Sequence, residues 1–228
     1  MRTLVVIPAH DEAESIADVV ARVRAAGYPA LVVDDGSADD TAERARRAGA
    51  AVARLPVNLG VGGALRTGFR YAVANGFERA VQVDGDGQHD PAQIPALLEA
   101  ADGGANLVVG TRFAGQAYSV SRSRRSAMRM LSRLVRWTTG LRLDDVTSGF
   151  RVISEPLLSR FAIEYPAEYL GDTVEAIVIA HRSGARVEQV PVAMAPRATG
   201  KATSRTRAAG HVARVLLALT VRRAGAAR

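Results

Sequence analysis

Apolar residues in the first 110 positions of this chain follow two rhythms in alternation. Short uninterrupted runs such as Leu4-Val5-Val6-Ile7, Leu31-Val32-Val33 and Ala80-Val81-Gln82-Val83 read as strands buried on both faces. Strands are expected at 3–8, 30–34, 51–55, 79–84 and 105–110. Mixed apolar and polar segments between them predict helices at about 12–27, 39–49, 61–76 and 91–101. Asp39 or Asp40 suits the N-cap of the second helix, with Glu43 in its first turn, and Pro91 suits the first turn of the fourth. Strand and helix in strict alternation predict an α/β fold, a mostly parallel Rossmann-like sheet sandwiched by helices.

Beyond residue 110 the rhythm loosens. Residues 112–122 read as a loop, 123–139 as an arginine-rich amphipathic helix and Asp144 to Arg151 as a turn-rich connection. A helix at about 170–182 and a strand at 186–193 complete a domain spanning 1–207, with a loop at 195–207. A C-terminal helical extension follows in 208–228, where Val212, Val215, Leu216 and Leu219 fall at i, i+3, i+4 and i+7. That apolar stripe, with Arg214, Arg222 and Arg223 nearby, fits either a bilayer interface or the domain's own sheet.

Composition narrows the class. A chain of 228 residues with 48% apolar content suits one soluble domain with a sizeable core. It has no cysteine, which excludes disulfides and thiolate metal sites. Met1-Arg2-Thr3 runs directly into the first strand without a leader, and no apolar run approaches the ~18 residues of a spanning helix. A cytoplasmic protein is expected, with the inner face of the plasma membrane within reach of a basic tail. The net charge of +7 is segregated: no acid follows Glu188, and Arg122 to Arg136 holds six arginines and no acid. Such surfaces attract nucleic acid, anionic lipid or phosphorylated substrates. Nucleic acid is set aside, because no recognised binding motif occurs and the arginine block lacks interleaved aromatics.

Ligands in parallel α/β sheets bind beyond the carboxyl ends of the strands. Pro8-Ala9-His10-Asp11-Glu12, Asp34-Asp35-Gly36-Ser37 and Asp84-Gly85-Asp86-Gly87-Gln88-His89 all fall at that edge. Hard divalent cations take carboxylate oxygens and leave positions for substrate phosphates. The Asp84/Asp86 spacing suits one carboxylate on a metal and the other on a neighbouring hydroxyl, with Gln88 as an amide ligand. Two carboxylate-tipped strands in one sheet suggest a nucleotide-diphosphate site. Asn58 to Gly68 is glycine-rich before a helix, yet it matches neither the Walker nor the Rossmann phosphate loop. Its glycines serve either the nucleotide or close helix packing. His10 and His89 read as hydrogen-bonding wall residues.

Taken in order, these segments resemble the family 2 glycosyltransferases of the GT-A fold, and within them the polyprenyl-phosphate (dolichyl-phosphate) mannose or glucose synthase branch. Val6 to Glu12, Val32 to Ser37 with Thr41, Asn58 to Gly68, Val83 to Asp90, Gly110 to Phe113, Asp145 to Arg151 and Val190-Pro191-Val192 with Arg197 and Gly200 carry the likeness. The resemblance implies a nucleotide-diphosphate sugar donor, GDP-mannose or UDP-glucose, a polyprenyl phosphate acceptor, Mg²⁺ or Mn²⁺, and inversion at the anomeric carbon. It implies that Pro8, Ala9, Glu12 and Asp35 surround base and ribose, and that Asp84 sits by ribose and metal. Asp86 and Gln88 would hold the metal; Arg112, Arg125 and Arg129 would face the acceptor phosphate; Arg197 would approach the donor phosphates. The sequence departs from the family in having His10-Asp11 for the usual Tyr-Asn and Ala202 where serine is frequent. It also lacks the long C-terminal membrane segments of some relatives.

A hydroxyl acceptor requires a general base, whereas a phosphate is already ionised and requires cationic positioning. Thr147-Ser148-Gly149-Phe150 stands where most family members carry an acidic base, and an arginine-rich helix precedes it. Three functions stay open at this level. They are transfer to a polyprenyl phosphate, transfer to a glycan or small-molecule hydroxyl with Asp145 as base, and a non-catalytic lipid- or partner-binding relative.

Overall fold

The computed structural model describes residues 1–111, 122–166 and 171–193, excepting the side chains of residues 122–125, 127, 171 and 172. Seven strands form one sheet in the order β3-β2-β1-β4-β6-β5-β7. The first half is a run of βα units. β1 (Thr3–Ala9), β2 (Ala30–Asp34), β3 (Ala51–Arg54) and β4 (Arg79–Gln82) alternate with α1 (Ile16–Ala25), α2 (Thr41–Arg47) and α3 (Val61–Ala74). A 3₁₀ turn with Pro91 at its start leads into α4 (Ile94–Asp102), and the Asp90 carboxylate caps it by accepting from Ala92 N–H at 3.1 Å. β5 (Leu107–Thr111) and α5 (Arg122–Thr139) follow, then β6 (Arg151–Ser154), α6 (Leu157–Glu164), α7 (Gly171–Arg182) and β7 (Val187–Pro191).

Strand residues alternate between two cores. Leu4, Val6, Leu31, Val33, Ala80, Leu107 and Val109 face α3, α5, α6 and α7; Val5, Ile7, Val32, Val81 and Val108 face α1 and α4. Phe69 on α3 anchors the first core, its ring 5.1 Å from Tyr165 and 6.3 Å from Phe161. The glycine-rich stretch accounts for how closely α3 approaches the sheet. A Cβ on Gly68 would lie 2.3 Å from Val6 Cγ1, so no larger residue fits between helix and strand. That contact favours the packing role of these glycines.

Two short elements, β6 and α6, are absent from the sequence reading. β6 is the only antiparallel strand among the described pairings, inserted between β4 and β5, with Arg151 opposite both Gln82 and Val109. Entering the sheet in reverse, it brings the preceding segment 145–150 to the edge where the parallel strands end. The remaining boundaries shift by a few residues: α1 begins at Ile16, because residues 12–15 form turns. The loop at 195–207, the helix at 208–223, Arg112 and Arg197 lie outside the described residues. Among the described residues no helix is long and apolar enough to cross a membrane.

Candidate active site

Four strand ends converge at one edge. The β1–α1 connection is tied to the β2–α2 loop: Ala9 carbonyl accepts from Asp35 N–H at 2.8 Å, and Thr41 and Ser37 hydroxyls accept from Glu12 and Asp11 N–H at 2.9 and 3.0 Å. His10 Nδ1 donates to the Asp35 carbonyl at 3.0 Å, the wall role expected of it. Asp40 occupies the N-cap position of α2 without a side-chain bond, while the preceding Asp39 carboxylate accepts from Thr41 N–H at 2.9 Å and from Ala13 N–H at 3.1 Å. Slight burial pushes its carboxyl up, but the Thr41 hydroxyl, the two backbone N–H groups and Arg44 outweigh this and hold it below the usual aspartate range. Asp35 is buried, with Oδ1 accepting from Leu59 N–H at 2.7 Å. Pro8, Ala9, Glu12 and Asp35 therefore stand together at this edge. Glu12 and Ser15 stitch them to the β4 loop, Ser15 Oγ donating to the Gly85 carbonyl at 2.7 Å and to Glu12 Oε2 at 3.1 Å.

The Asp84–Asp90 loop is held from three sides. Within it, Asp86 is buried and its Oδ1 accepts from Gln88 N–H at 3.0 Å. From below, His89 is buried and its ring stacks on Phe150 at 5.0 Å between centroids. Its Nδ1 accepts from Asp84 N–H at 3.0 Å, so Nε2 carries the proton, 3.6 Å from Asp84 Oδ2. From α1, Arg22 reaches the Gly87 and His89 carbonyls at 3.4 Å and the Asp90 carboxylate at 3.3 Å. The Asp84 side chain keeps 38% of its surface in solvent. Gln82 Nε2 lies 3.4 Å from Asp84 Oδ1, while its buried Oε1 has no hydrogen-bond partner among the described residues.

The segment 145–150 closes over this pair. Gly149 packs so tightly that a Cβ there would lie 2.7 and 2.8 Å from the Asp84 carboxylate oxygens. Arg151 shapes the turn from inside the core: buried, it donates to the Ser148, Thr173 and Val146 carbonyls at 2.8, 3.0 and 3.3 Å. Asp145 is only 1% exposed, and its Oδ1 accepts from Thr147 N–H and Oγ1 at 3.1 and 3.0 Å.

These donors fit a hard divalent cation. Asp84 and Asp86 offer carboxylate oxygens at one sheet edge, and the glycine at 149 leaves the space beside Asp84 that a side chain would fill. Among the described residues no third acid or histidine joins them in a closed cation cage. Gln88 contributes its backbone N–H to Asp86. Of the predicted arginines, Arg129 is exposed on α5 and Arg125 lies on the same helix. Sequence reasoning missed Arg22, Gln82 and Ser15. A polar Gln82 inside an apolar strand was the one available signal.

The family model of glycosyl transferase family 2 matches residues 4–165. The chain is 33% identical over 211 residues to an undecaprenyl-phosphate mannosyltransferase of Micrococcus luteus, covering 88% of this chain and 86% of that protein. It is 32% identical over 169 residues to a polyprenol monophosphomannose synthase of Mycolicibacterium smegmatis, covering 70% and 64% of the two chains. Among solved structures, glucosyl-3-phosphoglycerate synthase from Mycobacterium tuberculosis with Mn²⁺, UDP and phosphoglyceric acid superposes at TM-score 0.73, with 22% identity over 98% of this chain and 78% of that one. The same enzyme with Mg²⁺ and UDP gives TM-score 0.74 at 24% identity, over 98% and 79%. The structural likeness shows the GT-A fold, the family match spans well over half of the sequence, and on these grounds the chain belongs to glycosyl transferase family 2.

Proposed function

We propose that this glycosyltransferase moves a hexose, mannose or glucose, from a nucleotide-diphosphate sugar to a polyprenyl phosphate, with inversion at the anomeric carbon. The observation that carries this reading is the acceptor-side segment. Asp145, the acid weighed as a base for a hydroxyl acceptor, is buried and engaged by Thr147, so it does not stand ready to deprotonate one. A phosphate acceptor is ionised at pH 7 and dispenses with a base. The acceptor named for the Micrococcus luteus relative is also a polyprenyl phosphate.

In this reading Asp86, Asp84 and Gln88 would hold Mg²⁺ or Mn²⁺. When bound, the cation neutralises charge on the leaving diphosphate. The protein's own work is positional. His89 and Gln82 orient Asp84, the Gln88 N–H fixes Asp86, and Arg22 holds the loop that carries them. Pro8, Ala9, Glu12 and Asp35 line the base and ribose, and Arg197 serves the donor phosphates. Arg112, Arg125 and Arg129 orient the acceptor phosphate by charge-assisted hydrogen bonds. One phosphate oxygen then bonds to the anomeric carbon as the bond from that carbon to the diphosphate breaks.

The test is radiolabel transfer from GDP-mannose and from UDP-glucose to undecaprenyl phosphate with Mn²⁺ or Mg²⁺. Label should enter the organic phase from one donor, and excess EDTA should stop it. Label that reaches only a hydroxyl acceptor overturns the phosphate assignment, and undiminished transfer in EDTA overturns the metal.

A further inference from the structure

Helix α5 is an 18-residue segment carrying six arginines and no acid. Its inner side is conventional core: Met128, Leu131 and Val135 are buried, the last two in the cluster formed with α7 and the sheet. Its outer side is not a conventional solvated face. Ser126, Met130, Arg133 and Trp137 recur at i, i+4, i+7 and i+11 and form one exposed ridge. Met130 is 46% exposed and Trp137 is 59% exposed, the two large apolar side chains of that ridge. Arg129 and Arg136, both exposed, flank it on one side.

Low overall hydropathy, a cationic face, and a tryptophan with a second apolar side chain on the same ridge describe a helix that lies in a bilayer interface. Arginine stems add apolar area there while their guanidinium heads stay at the phosphates. We infer that the outer face of α5 docks on an anionic lipid surface, Trp137 and Met130 entering the headgroup region and Arg133 and Arg136 meeting lipid phosphates. This assigns lipid contact to the body of the domain. Its purpose rests on the proposed lipid-linked acceptor, but the contact itself is measurable without transfer. Nucleic acid offers the same phosphates, yet the ridge carries a single aromatic and no stacking series.

Trp137 is the only tryptophan in the chain, so tryptophan emission, excited selectively over tyrosine, reports this ridge alone. Full-length protein should show a blue-shifted emission with vesicles of phosphatidylglycerol and phosphatidylcholine, quenching by brominated lipid, and loss of both as salt rises. Phosphatidylcholine vesicles alone should leave the emission unchanged. An arginine near an anionic surface is worth about fivefold in affinity, so Arg133→Gln with Arg136→Gln should weaken binding roughly 30-fold. That variant should keep its melting temperature and its transfer to acceptor in detergent micelles. Binding without any change in Trp137 emission places the contact elsewhere and overturns the inference, as does absence of binding or a preference for single-stranded RNA over vesicles. Vesicle-dependent emission in a protein that transfers no sugar to polyprenyl phosphate would refute the proposed function and leave the docking face standing.

Discussion

Gly149→Ala isolates the role of Asp84 with one methyl group. A Cβ at this position lies 2.7 and 2.8 Å from the Asp84 carboxylate oxygens and 3.0 Å from Gln82 Nε2, where ordinary contact begins near 3.4 Å. The carboxylate must therefore move by about 0.6–0.7 Å, the difference between 3.4 and 2.7–2.8 Å, or the β6 approach must shift. The carboxylate is the softer of the two, being partly solvated, whereas β6 is pinned between two strands and by Arg151. Overpacking of this kind costs ~1–3 kcal/mol, a fall in Tm of about 2–12 °C for a domain of this size. Misplacing a catalytic group by about 1 Å costs on the order of 10²-fold, so a shift of this size should lower kcat/KM by ~10–100-fold. Calorimetric titration of nucleoside diphosphate with Mn²⁺ should show the same loss, while titration without metal changes little. A folded Gly149→Ala protein within twofold of the parent in metal-dependent binding and in turnover would refute the placement of Asp84 beside metal and substrate.

Other perturbations separate neighbouring roles. Asp86→Asn keeps an acceptor for Gln88 N–H, so Tm should stay within a few degrees while metal-stimulated donor binding and turnover disappear; full activity in the variant argues against Asp86 as a ligand. His89→Asn retains an acceptor for Asp84 N–H but not the Nε2 group near Asp84 Oδ2, and should retain part of the turnover that His89→Leu loses; equal kcat in both would reject positioning through that hydrogen bond. Arg125→Gln with Arg129→Gln should raise acceptor KM far more than donor KM, with ~10²-fold or greater loss in kcat/KM at ~1.5–3 kcal/mol per charge-assisted bond. Equal effects on both substrates would place these arginines on the donor diphosphate. The Asp39 carboxyl, held below its ordinary range, stabilises the fold above about pH 4 and loses that effect as pH falls further. The Tm of Asp39→Ala should accordingly fall less than that of the parent between about pH 5 and pH 3.

The legible part of this molecule is the part written in local pattern. Apolar runs ending in Asp34-Asp35 and in Asp84-Gly85-Asp86 announce parallel strands, and parallel strands fix where their tips lie, so the residues gathered at that edge can be named without knowledge of their contacts. β6 is hidden because Arg151–Ser154 is four residues long, opens on a buried arginine and is recognised only by partners more than forty residues away. α6, eight residues, is too short for a periodic signal. The tightness of Gly149 against Asp84 and the grip of Arg22 on the Asp84–Asp90 loop are tertiary contacts, for which no spacing in the chain gives notice. Asp145 shows the same gap in chemistry, since an acid in the sequence becomes a turn fastener once its burial and Thr147 are visible.

The buried Arg151 has a consequence for pH. A guanidinium stays charged throughout the range in which proteins are handled. Its grip, on the turn through the Ser148 and Val146 carbonyls and on α7 through that of Thr173, therefore does not titrate from mild acid to mild base. Under the proposed reaction, the acceptor contributes to the acidic limb of an activity profile, because a phosphate monoester dianion takes up one proton near pH 6. An acceptor analogue with a more acidic phosphate should carry that limb to lower pH, while the same exchange leaves the melting profile of the protein where it was.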